Sequence, residues 1–197
     1  MPEAATRSPP SVPAAEWLKA QPPALRFILH GDSHARAAAA PVWGVEFAEE
    51  ACRAVVRGAR ATLWLGPDES LLLEIPSGIA ADTGAAAASA SAATAVTDDL
   101  ERALGDVPHA LVDISHRQFA LEVSGPHAAT ILSGACPLDL DLVEFPIGMS
   151  TRTVLAKADI VLWRTRNDAF HLEVWRSFNG YVTGLLSEIA REFYGDA

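Results

Sequence analysis

Apolar residues recur along this chain in two rhythms, a period of two and a period near 3.6, and each rhythm predicts its own element. Phe27 to His30 is a short apolar run of strand length. Ser33 is placed to cap an Ala-rich helix after it, and Pro41 to end that helix. TLWL (62–65) and SLLLEI (70–75) flank the turn-forming Gly66-Pro67-Asp68-Glu69, which predicts a hairpin. Thr97-Asp98-Asp99-Leu100-Glu101 marks a helix start, its acids favoured by the macrodipole, and Gly105 is placed to stop that helix. ALVDI and FALEV, between His109 and Ser124, read as two further strands. Gly125-Pro126 introduces a helix that turns Ile131 and Leu132 inward and stops at Gly134.

The last third repeats this grammar. DIVLWRT and AFHLEVW flank Arg166-Asn167-Asp168 as a second hairpin, with Phe170, Leu172 and Val174 on one face and His171, Glu173 and Trp175 on the other. Phe178, Tyr181, Val182, Leu185, Leu186, Ile189 and Phe193 then recur at three and four, an amphipathic helix packing back on the sheet. The pattern predicts an α+β fold, with helices packed on largely antiparallel sheets in two hairpin-plus-helix halves. Residues 24–105 form the first half and 106–197 the second, joined in one unit after a Pro/Ala-rich tail at 1–23. The Ala-rich stretch around 84–94 reads as a variable connection or a small-residue helix.

Composition narrows the function. Half the 197 residues are hydrophobic and 20% are charged, so the chain folds rather than staying disordered. The formal net charge is −10, which opposes a nucleic-acid partner. All of it lies in 59–149, which carries 3 basic and 13 acidic residues, whereas 1–58 and 150–197 each balance at 6 and 6. Acids and prolines interrupt residues 1–18, where a signal peptide would run apolar. No stretch reaches the roughly 20 apolar residues of a spanning helix. The expectation is a cytoplasmic chain without membrane contact.

Candidate chemistry is sparse. His30, Asp32 and His34 are spaced for one side of an extended segment, but a metal needs a fourth ligand or water and an oriented second shell. Ser115 and His116 are adjacent, hence on opposite strand faces and badly placed to share a proton. Cys136 has no basic neighbour within three residues to activate it, which favours a structural role. No glycine-rich phosphate loop is present. Trp64 and Trp163 lie in the two hairpins, and Trp175 lies at a subunit interface or in a second internal core. These residues predict no catalytic, cofactor-binding or metal site in the chain itself.

Three segments together resemble the gamma subunit of heterotetrameric sarcosine oxidase. They are ATLWLGPDESLLLEI (61–75), ALVDISHRQFALEVSGPHAATILSGACPLDLD (110–141) and FPIGMSTRTVLAKADIVLWRTRNDAFHLEVWRSFNGYVTGLLSEIARE (145–192). The resemblance implies a non-catalytic small subunit of a complex that oxidatively demethylates sarcosine to glycine. The other products are hydrogen peroxide and either formaldehyde or 5,10-methylenetetrahydrofolate. It implies alpha, beta and delta subunits as partners, which hold FAD, FMN, NAD, zinc and tetrahydrofolate. It also implies a fold similar to the folate-binding domain of the aminomethyltransferases, in which Asp113-Ile114-Ser115-His116 has a counterpart.

Those enzymes carry a glycine-rich turn with an acid that handles the folate amine. This chain reads Ala156-Lys157-Ala158-Asp159 there, with Lys157 beside Asp159 to hold it ionised and paired, so folate binding is not carried over. The alternatives are a gamma-like subunit of an N-methylglutamate or other N-methyl-amine dehydrogenase, and a freestanding folate-dependent aminomethyltransferase with Asp159 as its acid. Under the main reading the acidic middle faces solvent or a basic partner. The final third docks on the large subunits through Arg152, Trp163, Arg164, Trp175 and Arg176.

Overall fold

The structure is a computed structural model that describes residues 17–74 and 90–195. The chain runs β1 (Leu18–Ala20), β2 (Leu25–Gly31), α1 (Ser33–Trp43), β3 (Ala54–Arg57), β4 (Arg60–Gly66), β5 (Glu69–Glu74) and α2 (Ala90–Leu104). It continues with β6 (His109–Asp113), β7 (Gln118–Ser124), α3 (Ala128–Ser133), β8 (Ser150–Leu155), β9 (Ala158–Arg166), β10 (Ala169–Trp175), a 3₁₀ turn (Arg176–Phe178) and α4 (Asn179–Tyr194).

Two antiparallel five-stranded sheets result, ordered β3-β4-β5-β2-β6 and β8-β9-β10-β7-β1. The orders correspond strand for strand. Each half supplies two strands, a helix, three strands and a second helix, and the lead strand of each half crosses to the other's sheet. β6 pairs with β2, and β1 pairs with β7. Trp17 to Ala20, inside the segment expected to be a tail, therefore belongs to the fold, and Trp17 is buried.

Alternation along the strands builds four layers. Leu25, Phe27, Leu29 and Leu72 face α1 and α2. Ile160, Leu162, Phe170, Leu172 and Val174 face α3 and α4, where Ile131, Leu132, Val182 and Leu186 are fully buried. The opposite strand faces meet each other as a third core of Ala61, Leu63, Leu71, Leu73, Ile114 and Trp163. Both faces of β10 are consequently buried, and only Trp175 at its end emerges.

Several boundaries depart from expectation for local reasons. Asp32, not Ser33, caps α1, its Oδ1 accepting from the amides of His34 (2.8 Å) and Ala35 (3.2 Å). Pro41 lies inside α1, because only two residues follow it before Gly44 ends the helix in the left-handed region. Thr97 sits mid-helix, since α2 already begins at Ala90 in the small-residue stretch, where alanine favours helix. The rest of that stretch lies outside the described residues. Phe178 and Tyr181 do not join the inward face of α4. Phe178 belongs to the 3₁₀ turn, and the two are 39% and 41% exposed.

Candidate functional site

The seam between the sheets holds a buried, hydrogen-bonded polar group. Arg26 of β2 and His171 and Glu173 of β10 point into it, at 2%, 5% and 2% exposure. Arg26 Nε donates to Glu173 Oε2 at 2.7 Å, and His171 Nε2 lies 2.8 Å from Glu173 Oε1. The Arg26 guanidinium also donates to the carbonyl of Ala24. Burial pushes the Glu173 carboxyl up, but the hydrogen bond from His171 and the charge of Arg26 outweigh it and leave it below the ordinary carboxylate value. Glu173 thus satisfies one partner from each sheet. A buried pair of this kind adds little net stability, because desolvation offsets most of the attraction.

The Asp113-Ile114-Ser115-His116 segment lies at the crossing from β6 to β7. The amide of Arg26 donates to Ser115 Oγ at 2.9 Å, the amide of Ile114 donates to the Arg26 carbonyl, and Asp113 Oδ1 accepts from the Ser115 amide. Ser115 is thereby committed to holding the crossing, and it makes no hydrogen bond to His116. The His116 carbonyl accepts from Arg176 Nε at 3.0 Å. A groove of about 510 Å³ opens beside this segment, lined among others by Asp98, Asp113, His116 and Arg176.

The five residues expected at the subunit interface divide by exposure. Trp163 is 2% exposed, in the core between the sheets, and Arg164 is 3% exposed. Arg164 donates to the carbonyls of Leu140, Phe145 and Asn167 and stacks on Phe170, so it holds the 140–145 loop inside the chain. Neither side chain is available to a partner. Strand alternation explains this for Trp163, whose face is covered by the other sheet. Arg152 is half exposed but forms a two-toothed pair with Glu69 (2.6 and 3.0 Å), a second tie between the sheets. Its hydrogen bonds hold the Glu69 carboxyl below the ordinary value. Trp175 and Arg176 lie at the surface, Trp175 at 45% exposure.

The other candidates are not brought together. Asp32 caps α1, while His30 approaches Glu69 (3.8 Å). Among the described residues no three metal-ligating side chains cluster. Cys136 is buried in the core under α3 and α4. Asp159 is exposed and makes no ion pair with Lys157, because Lys157 lies in the β8–β9 turn, where Ala156 takes a positive φ of 51°. Asp159, Arg152, Gln118 and Glu173 line a cavity of about 70 Å³ between the sheets. That is well below the roughly 300–1,000 Å³ of a small-molecule site.

The family model of the sarcosine oxidase gamma subunit matches residues 30–192. The chain belongs to that family. It is 32% identical over 169 residues to the sarcosine oxidase subunit gamma of Corynebacterium sp. strain U-96, a match covering 86% of this chain and 74% of that one. To the subunit gamma of Corynebacterium sp. strain P-1 it is 34% identical over 133 residues, 68% of this chain and 58% of the relative. A chain of the heterotetrameric sarcosine oxidase of Corynebacterium sp. U-96, solved with pyrrole 2-carboxylate, superposes with a TM-score of 0.76 at 28% identity. That match covers 91% of this chain and 85% of the other. The glycine cleavage system aminomethyltransferase T of Bartonella henselae superposes with a TM-score of 0.56 at 13% identity, over 86% of this chain and 44% of the enzyme. This second likeness shows a shared fold and nothing of activity.

For a gamma subunit of sarcosine oxidase, the polar seam serves architecture. Sequence reasoning missed Arg26, His171 and Glu173 as a group because they are brought together across 147 residues of chain. A polar pair at alternate positions of an otherwise apolar strand, His171 and Glu173, was the available signal.

Proposed function

We propose that this chain is the non-catalytic gamma subunit of a heterotetrameric sarcosine oxidase. The complex demethylates sarcosine oxidatively to glycine and hydrogen peroxide, with formaldehyde or 5,10-methylenetetrahydrofolate as the one-carbon product. The family match over 30–192 carries the reading, and the superposition on a sarcosine oxidase chain supports it. The relatives named above are sarcosine oxidase subunits, which favours this reading over an N-methyl-amine dehydrogenase or a freestanding aminomethyltransferase.

Alpha, beta and delta subunits are the partners in this proposal, and they carry the FAD, FMN, NAD, zinc and tetrahydrofolate. The small size of the cavity beside Asp159 supports placing folate elsewhere. A cytoplasmic setting fits a chain in which no described helix is long and apolar enough to cross a membrane. Contact with the partners runs through the surface members of the expected set, Arg152, Trp175 and Arg176. Co-expression of this chain, affinity-tagged, with the other three subunits is the direct test. A recovered assembly that consumes oxygen on addition of sarcosine is expected; a tagged chain that elutes alone overturns the proposal.

A further inference from the structure

Where β10 ends, the seam opens into a compact surface of arginine and aromatic side chains. Trp175 is 45% exposed even with the Arg117 guanidinium stacked 4.5 Å from its ring centroid. Arg176 follows, its Nε held by the His116 carbonyl at 3.0 Å and its amide by the Arg117 carbonyl at 2.8 Å. Phe178 (39% exposed) and Tyr181 (41%) come next and meet edge to face at 6.3 Å. Neither Arg117 nor Arg176 makes an ion pair with a described carboxylate, although the chain carries a net charge of −10.

We infer that Arg117, Trp175, Arg176, Phe178 and Tyr181 form a docking platform for an acidic, apolar-flanked segment of another subunit of the complex. The inference rests on the subunit reading above and deepens it. Trp, Tyr and Arg are the residues that dominate binding at protein interfaces, and here Trp175, Arg176 and Tyr181 are all exposed along one short stretch of chain. Stacking and backbone hydrogen bonds already hold both guanidiniums, so little side-chain freedom is lost when a partner arrives. Two guanidiniums without acids of their own select carboxylates, which they bind in two-toothed geometry. Beyond Arg176 the groove wall turns acidic at Asp98 and Asp113, which keeps a partner's carboxylates at the arginine end.

The test uses the co-expressed complex with the tag on this chain. Wild type and Arg57→Glu, a charge change on the β3 edge strand, recover equal amounts of the other subunits. The double variant Arg117→Glu/Arg176→Glu recovers at least tenfold less, and Trp175→Ala at least threefold less. Wild-type recovery by the double variant overturns the platform and leaves the subunit reading standing. Failure of the wild type to recover any partner overturns that reading, and the platform with it. A purified wild-type chain that dimerises, with Trp175→Ala breaking the dimer, also overturns the platform, since its occupant is then a second copy.

One measurement needs no variant. Under hydroxyl-radical labelling of the intact wild-type complex, the rings of Trp175, Phe178 and Tyr181 react more slowly than Val56, which is 42% exposed. Aromatic rings are intrinsically the more reactive, so faster labelling at those three positions overturns the inference.

Discussion

At the scale of single residues, Glu173 is the side chain on which the seam depends. Its two oxygens serve Arg26 from one sheet and His171 from its own strand, and all three groups are buried. Glu173→Gln keeps the shape but leaves Arg26 as an uncompensated buried charge. A loss of about 3–5 kcal/mol is expected, read as a lower urea midpoint. Replacing all three together by apolar residues of similar volume (Arg26→Met, His171→Phe, Glu173→Leu) removes the charges with their partners. That variant is expected to recover most of the loss. Arg152→Ala breaks the exposed tie to Glu69 and is expected to cost less than about 1 kcal/mol. Equal losses for Glu173→Gln and Arg152→Ala would show that burial does not set the energetics. Arg26 does not stand out in the sequence, and the His171/Glu173 pair marks only a polar strand face, because a charge on a strand reads as solvent-facing until a second sheet covers it.

At the scale of elements, the passage from β2 into α1 shows how little slack the fold has. A single residue, Asp32, separates the strand from the helix that packs back on it. A Cβ at Gly31 would overlap the Cβ of Ala35, one turn into α1. Gly31→Ala is therefore expected to lower stability by about 1–3 kcal/mol, as overpacking does. Adding Ala35→Gly removes the overlap and recovers part of the loss, which thermal unfolding of the single and double variants would reveal. Both hairpins, the inward face of α3 and most of that of α4 are legible in the sequence, because alternation and helical spacing are local signals. The limits of α1 and α2 are less so. A side-chain cap one residue earlier and a helix-forming alanine run moved them.

At the scale of the whole molecule, two sheets are joined by Glu173 inside and Glu69 outside, and both carboxyls titrate below the ordinary value near 4.5. A group whose folded pKa is depressed contributes stability that is complete above its unfolded pKa and is lost as pH falls through its folded value. Urea midpoints are thus expected to drop as pH falls below about 4.5, with a smaller drop in Glu173→Gln. An unchanged profile in that variant would remove Glu173 from the acid response. The sequence by itself determined most of the strands and helices, the α+β class, the two like halves and the family, because each of these rests on residues close along the chain. β1, β3 and β8, which carry no such local signal, came only with the structure. Only the tertiary structure decided that the halves exchange their lead strands and that their sheets stack face to face. Stacking buried Trp163 with the polar seam, while the neighbouring Arg164 was drawn in to hold a loop, and Trp175 and Arg176 were left outside. A strand's alternation says that two faces differ, and whether water or a second sheet covers the polar one depends on contacts far apart in the chain.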